Sequence, residues 1–178
     1  MERTIERPAE RRTEERPVTD HGFETMYRTY SRNALSLAYL LTGDRLQAED
    51  LMQDAFVKVG GAFGHIRSRD AFWPYLRRTI VNLHNSRLRR LRLERAHIKR
   101  TANSVREGTP EIDIAASVDV WRAIQQLPSR QRAAIVLRFY EDLTEADAAI
   151  LMRCSTAAYK SLLSRATTAM RELMGGSR

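Results

Sequence analysis

Residues 66–100 restrict the possible folds more than any other stretch, because this segment is both strongly basic and periodically apolar. It contains eleven Lys or Arg and two acids, so its net charge of +9 exceeds the +8 of the whole 178-residue chain. Within it, Phe72, Leu76, Ile80 and Leu83 recur at helical spacing. The pattern predicts a helix that packs one face on a core and presents cations on the others.

A basic run is most often a solvated face or a disordered arm. This one also carries aromatic side chains and amides: Phe72, Trp73, Tyr75, Asn82 and Asn85. Cations hold phosphates, while aromatic rings and amides can meet bases. The segment therefore favours a nucleic-acid surface.

The composition favours an all-helical protein. The chain has eight glycines, 43% hydrophobic residues and no alternating β-branched runs. No apolar run approaches the roughly 18 residues of a membrane span, and the N-terminus lacks the apolar core of a signal peptide. The single cysteine, Cys154, fits a reducing cytoplasm. The pI near 10.2 favours a polyanionic partner.

The chain divides into two helical units. Residues 1–20 are highly charged with few apolar side chains and predict a disordered tail. Residues 21–100 form a first unit and residues 118–174 a second. The segment 101–117 is rich in Thr, Asn, Ser, Gly and Pro, so we expect a flexible linker there.

The first unit contains three predicted helices. The first runs from about Phe23 to Gly43, a predicted C-cap. Asp44 caps the second, with Gln47 in capping-box position. We expect that helix to bury Ala48, Leu51, Met52, Ala55, Phe56 and Val59, and to expose Glu49, Asp50, Gln53 and Asp54. Ser68 is the predicted cap of the third helix, and Pro74 is expected to kink its first turns.

The second unit ends in a helix-turn-helix pattern. A helix that stops at Pro128 precedes one capped by Ser129, whose inner face is predicted as Ala133, Val136, Leu137 and Tyr140. Thr144 caps a short helix, a tight turn follows at Arg153 and Cys154, and Ser155 caps the last helix. Lys160 and Arg165 are expected to point outward. Helical hairpins are common in all-α proteins, so the pattern alone is moderately specific.

Taken in order, these segments resemble the extracytoplasmic-function (ECF) group of bacterial RNA polymerase sigma factors. AYLLTGDRLQAEDLMQDAFVKV (38–59) is similar to the part that docks on polymerase. WPYLRRTIVNLHNSRLRR (73–90) is similar to the promoter −10 helix, and LTEADAAILMRCSTAAYKSLLSRATTAMREL (143–173) to the −35 helix-turn-helix. The resemblance implies a subunit that binds core polymerase and directs promoter-specific initiation.

The resemblance also implies roles for particular residues. Polymerase docking would fall to Glu49, Asp50, Gln53 and Asp54. The −10 element would be bound by Phe63, His65, Arg67, Ser68, Arg69, Arg77, Arg78, Asn82, Asn85 and Arg89. The −35 element would be bound by Arg153, Ser155, Thr156, Lys160, Ser161, Ser164 and Arg165.

Several positions depart from the family pattern. Gly60 stands where an aromatic residue is usual, Pro74 is unusual in the −10 helix, and Arg153 replaces a common glycine. Ala157, Ala158 and Tyr159 replace a usual Gly-Thr-Val, and Leu162 occupies a place often held by arginine. The loss of a cation at position 162 is expected to weaken or redirect −35 recognition.

Two other classes of protein are compatible with these features. One is a free-standing helix-turn-helix regulator that binds duplex DNA as a dimer without polymerase. The other is a helical adaptor for a protein partner, whose arginines serve solubility. An enzyme is not expected, since no nucleophile–base set, P-loop or clustered carboxylate pair occurs. We expect no cofactor or metal; the partners implied are core polymerase, promoter DNA and an anti-sigma factor.

Overall fold

The chain folds into helices that form two packed units. The computed structural model describes residues 20–66, 68–97 and 118–175. These residues form α1 (Asp20–Thr42), α2 (Arg45–Gly60), α3 (Phe72–His97), α4 (Val118–Gln126), α5 (Ser129–Ile135), α6 (Glu145–Met152) and α7 (Thr156–Gly175). A short 3-10 helix spans Phe63–His65, a π-helical turn spans Val136–Tyr140, and no strand occurs in the described ranges. The predicted all-α class with two helical domains is confirmed.

Helices α1, α2 and α3 form the first unit around an aromatic centre. The Phe23 ring packs edge-on against Phe63 and Phe72, with centroid distances of 5.1 Å and 6.4 Å. Phe56 joins this cluster from α2. These aromatic contacts hold the three helices in a fixed arrangement, which positions the loop between α2 and α3.

The predicted N-cap and buried face of α2 are confirmed. The Asp44 carboxylate accepts from the Gln47 backbone N–H at 2.9 Å. The buried residues of α2 are those expected from the periodicity: Ala48, Leu51, Met52, Ala55, Phe56 and Val59. At its C-terminal end, a Cβ on Gly60 would lie 3.3 Å from the Phe23 ring. An aromatic residue at this position would therefore require the Phe23 ring to shift by a few tenths of an ångström.

The reason for expecting a kink at Pro74 does not hold, because α3 begins later than expected. The Ser68 hydroxyl accepts from Ala71 N–H at 3.2 Å in a turn before the helix, and α3 itself starts at Phe72. Pro74 is therefore the third helical residue. Backbone N–H groups in a first turn have no partner within the helix, so a proline there removes no hydrogen bond.

The second unit confirms the predicted cap at Thr144 and corrects two other predictions. Thr144 accepts from the Asp147 N–H at 3.1 Å at the start of α6. Pro128, not Ser129, precedes α5, and no side chain caps that helix. Tyr140 is more exposed than predicted, at 44%, although its side chain still hydrogen-bonds Ser36 of α1; the π-helical turn changes the direction of the side chains at the end of α5.

The two units share one continuous core. Buried side chains of α1–α3 and of α5–α7 belong to the same apolar cluster, which includes Leu37, Leu76, Leu137 and Tyr159. Tyr39 of α1 stacks on Trp121 of α4 with ring centroids 4.5 Å apart. The Arg132 guanidinium of α5 donates to the Leu41 carbonyl near the end of α1 at 3.5 Å. In this closed arrangement the second unit lies against α1 and α3.

Gly43 terminates α1 at the boundary between the units. Its φ is +75°, and its N–H donates to the Tyr39 carbonyl at 2.8 Å. A Cβ at this position would collide with the Gln125 side chain of α4. No helix in the described part of the chain has the length and apolar character needed to cross a membrane.

Gly43→Ala should lower the free energy of unfolding by about 1–3 kcal/mol, because alanine is strained at this φ and its methyl group meets Gln125. Chemical denaturation measures the change. Gly64→Ala is the matched control, since nothing lies within 4 Å of a Cβ there, and it should stay within about 0.5 kcal/mol of wild type. Equal stabilities of the two variants would contradict this role of Gly43.

Candidate functional site

The outer surface of α3 carries the predicted cations. Phe72, Leu76 and Ile80 are fully buried, whereas Arg78, Arg89 and Arg90 are exposed and Asn82 is half-buried. The aromatic residues of its first turn have different environments. Phe72 is in the core, Trp73 stacks on Tyr30 at 5.6 Å, and Tyr75 is exposed. Of the three rings, Tyr75 is the one available to a base.

The loop between α2 and α3 places part of the predicted −10 set on the surface. His65, Ser68 and Arg69 are exposed, and Arg67 lies outside the described residues. Phe63 is a core residue with 8% exposure, packed on Phe23 and Phe72, so its side chain is not accessible to a base in this arrangement. This burial has no signal in the sequence, because the segment between α2 and α3 is too short to show a repeating pattern.

A small gap lies beneath this loop. It is lined by Gly22, Met26, Phe63, Ile66, Ser68, Arg69 and Phe72, and its volume is about 10 Å³. A volume of this size holds one water molecule at most. A nucleobase could enter only if the loop moved.

Helices α6 and α7 form the predicted helix-turn-helix. Arg153 closes α6 in the left-handed conformation, with φ of 51°, and its N–H donates to the Ile150 carbonyl at 3.2 Å. The Ser155 hydroxyl accepts from Ala158 N–H at 3.2 Å and so caps α7. The exposed side of α7 presents the predicted −35 residues Thr156, Lys160, Ser161, Ser164 and Arg165.

Two positions of α7 have further contacts. The Lys160 ammonium lies 3.3 Å from the Glu145 carboxylate. Because this ion pair is exposed, a DNA phosphate could take the place of the carboxylate at little cost in free energy. Leu162 is half-buried and packs against the core. Leucine at this place therefore has a structural role, and the surface loses a cation there.

The exposed polar face of α2 contains acids that form ion pairs within the chain and polar residues that do not. Asp54 pairs with Arg87 of α3 at 2.6 Å, and Glu49 pairs with Arg45 of its own helix at 2.9 Å. Asp50 and Gln53 are exposed between two exposed apolar residues, Leu46 and Val57. Residues 46, 50, 53 and 57 lie on one side of the helix, so they form a continuous stripe.

The closed arrangement joins predicted −10 residues to the second unit. The Arg77 guanidinium contacts the Glu141 carboxylate at 3.2 Å, and the two side chains are 17% and 4% exposed. The Trp73 side chain also hydrogen-bonds Glu141. Asn85 Nδ2 donates to the Leu151 carbonyl at 3.3 Å, at the end of α6. Nothing in the local sequence pattern indicated these partners.

Burial alters the pKa of two groups near this contact. Desolvation raises the pKa of Glu141, and its hydrogen bond and charge pairing with Arg77 oppose the rise. Desolvation lowers the pKa of His84 to about 4, and the positive charges of Arg132 and Arg87 act in the same direction. The His84 Nε2 atom is buried and has no hydrogen-bond partner. The described residues contain no cluster of His, Cys, Asp and Glu able to hold a metal ion.

Comparisons with known proteins match both units. Residues 26–94 match the family model "Sigma-70 region 2", and residues 117–170 match "Sigma-70, region 4". The sigma-E factor of Streptomyces avermitilis is 30% identical over 152 residues, which cover 84% of this chain and 83% of that protein. The ECF sigma factor SigM of Mycobacterium tuberculosis is 28% identical over 155 residues, covering 87% and 78% of the two chains.

A solved structure has the same fold. RpoE of Bartonella quintana, crystallised in complex with the anti-sigma factor NepR, matches with a TM-score of 0.68 and 24% identity. The match covers 88% of this chain and 98% of RpoE.

The chain therefore belongs to the sigma-70 family of RNA polymerase sigma factors, in its extracytoplasmic-function group. It binds core RNA polymerase and promoter DNA and directs promoter-specific transcription initiation. A free-standing helix-turn-helix regulator is not favoured, because the matches include the first unit as well as the second.

The pKa of His84 leads to a prediction about pH. The folded value of about 4 is below the usual 6.5, so the unfolded chain binds the proton first as the pH falls. Stability from this residue is fully present above pH 6.5 and is lost between pH 6.5 and 4, by about 3 kcal/mol at most.

The measurement is urea unfolding at pH 7.5 and pH 4.5. His84→Gln should lose less stability between the two values than wild type does. His65→Gln, at an exposed histidine, should show the wild-type dependence. An unaltered dependence in His84→Gln would mean that other groups cause it.

Proposed function

We propose that three separate surfaces perform the work of this sigma factor: the outer stripe of α2 binds polymerase, α3 and its preceding loop bind the −10 strand, and α7 binds the −35 duplex. The observation that carries the proposal is the two-sided character of α2. It buries one complete face, yet it exposes Leu46 and Val57 beside Asp50 and Gln53. Exposed apolar side chains next to unpaired polar ones are typical of a protein-binding surface.

The contacts within the chain refine which acids would bind polymerase. Asp54 already pairs with Arg87, and Glu49 with Arg45, so both are partly neutralised. In the described residues, Asp50 has no ion-pair partner and Gln53 no side-chain hydrogen bond. We therefore assign the central polar contacts to Asp50 and Gln53, with Leu46 and Val57 as apolar contacts beside them. Glu49 and Asp54 would lie at the edges of this surface.

The −10 surface would combine phosphate contacts with capture of unpaired bases. Arg78 and Arg89 are exposed on α3 and suit phosphates, and Asn82 can reach a base edge. His65, Ser68, Arg69 and Arg67 belong to the loop segment that would surround a flipped base. Because the gap below this loop is about 10 Å³, base capture would require the loop to rearrange.

The −35 surface would read the major groove with α7. Its exposed hydroxyl residues and Lys160 suit phosphate contacts, and Arg165 suits a base edge. The Arg165 Nε atom donates to the Ser161 carbonyl one turn earlier at 3.1 Å, which leaves the outer nitrogens of the guanidinium group for DNA. Arg153 and Ser155 flank the turn and would position the start of α7 on the backbone.

Promoter recognition would also require the two units to separate. Arg77 and Asn85 are assigned to the −10 element, but in the closed arrangement they bind Glu141 and the Leu151 carbonyl. The division into residues 21–100 and 118–174, joined by 101–117, would permit this movement. We further propose that the protein acts in the cytoplasm by binding and not by catalysis, with an anti-sigma factor as a candidate partner.

Asp50→Arg should weaken binding to core polymerase by about tenfold or more, because a cation would face a basic partner. Glu172→Arg makes the same charge change at an exposed position of α7 and should retain binding. Binding is measured by competition with another sigma factor for a limiting amount of core enzyme. Equal affinities of the two variants would remove the docking role of α2.

Arg165→Ala should reduce transcription from promoters with the correct −35 element. If Arg165 makes a bidentate base contact, the loss of binding free energy should be about 1–3 kcal/mol. Reconstituted transcription over a randomised promoter library provides the measurement and tests the sigma activity itself. Arg171→Ala, at another exposed arginine of α7, should leave the selected −35 sequence unchanged. The same selected sequence for Arg165→Ala and wild type would contradict the assignment.

A further inference from the structure

An open cavity lies between the two units, beside the Asn85 contact. Its volume is about 260 Å³, and it is lined by Asn85, Leu88 and Arg89 of α3, Arg130 of α5, and Met152 and Arg153 at the end of α6. Three arginines from three different helices or turns thus converge on one space. No acidic residue lines it.

The charges of these arginines have no counterpart in the described structure. Within residues 20–66, 68–97 and 118–175, none of the three forms an ion pair or a side-chain hydrogen bond with the protein. The other arginines at the contact between the units differ in this respect, since Arg77 pairs with Glu141 and Arg132 donates to carbonyl oxygens. Like charges brought together across an interface oppose its formation unless an anion lies between them.

We infer that this cavity binds a small phosphate-bearing anion, namely a chain of two or three phosphate groups, either free or as part of a nucleotide. Guanidinium groups recognise phosphate oxygens through paired, charge-assisted hydrogen bonds. The volume is below the range of about 300–1,000 Å³ that encloses a drug-sized ligand, so the phosphate chain fits better than a whole nucleotide. The nucleoside, where present, would extend toward solvent.

The backbone near the cavity fixes the position of two of its members. Asn85 binds the Leu151 carbonyl and so holds α3 against the end of α6. Arg153 is in the left-handed conformation that closes α6, which determines where its side chain leaves the backbone. Arg130 has no place in either DNA-binding set, and this cavity gives it a function.

Anion binding would favour the closed arrangement. Arg89 belongs to the first unit, and Arg130 and Arg153 to the second, so an anion held by all three joins the units. A ligand that binds one conformation better than another shifts the population toward it. The binding site stands independently of promoter recognition. The consequence for transcription rests on the proposed function, because Asn85, Arg89 and Arg153 are also assigned to DNA.

The test is calorimetric titration of the full chain with sodium tripolyphosphate, with ATP, and with sulfate at matched ionic strength, without polymerase or DNA. Tripolyphosphate should bind with one site per chain and raise the midpoint of thermal unfolding, and sulfate should do so much more weakly. Equal affinities for tripolyphosphate and ATP would identify the phosphate chain as the recognised group. Tighter binding of ATP would identify a nucleotide as the source.

Two variants decide whether the cavity is the site. Arg130→Gln should weaken tripolyphosphate binding by about tenfold or more. Arg153→Gly should do the same while it relaxes the left-handed turn, so a loss of binding there does not arise from unfolding. Arg122→Gln removes an exposed arginine of α4 outside the cavity and should retain wild-type affinity. Equal weakening by all three variants, or equal binding of sulfate and tripolyphosphate, would overturn the proposal.

Discussion

The arrangement of α3 depends on the burial of one apolar stripe. Phe72, Leu76 and Ile80 are completely excluded from solvent, and each buried side chain of this size contributes about 1.5–3 kcal/mol. Because this face must point into the core, the arginines of α3 have to point elsewhere. Arg78 and Arg89 emerge toward solvent, Arg87 reaches Asp54, and Arg77 reaches Glu141. The hydrophobic effect thus determines where the positive charges lie.

Local features of this fold follow well from the sequence. The cap at Asp44 and the buried face of α2 depend on residues within a few positions of one another, and both were predicted. The Thr144 cap and the turn at Arg153 depend on equally short spacing. Residue spacing alone did not predict the functional class. That prediction came from the resemblance of two long segments to one family.

Features that depend on distant residues could not be predicted in this way. Glu141 is 64 positions from Arg77, and a single periodic pattern carries no information about which surfaces meet. Phe63 begins a 3-10 helix of three residues, which is too short to show a periodic pattern, and its ring is buried against Phe23. The same holds for the acids of α2. The sequence pattern does not distinguish Asp50 from Asp54 as contacts for polymerase, whereas the structure does, because Arg87 pairs with Asp54.

The π-helical turn at Val136–Tyr140 has a consequence for comparing this chain with its relatives. Glu141 N–H donates to the Val136 carbonyl, five residues earlier, so the turn holds one residue more than an α-helix would. One extra residue rotates everything after it by roughly 100° about the helix axis. The orientation of Glu141 toward Arg77 therefore depends on the number of residues in this turn. In a homologue with the same residues but one fewer in this turn, the glutamate carboxylate would point away from α3. An alignment that ignored this gap would wrongly predict the same ion pair.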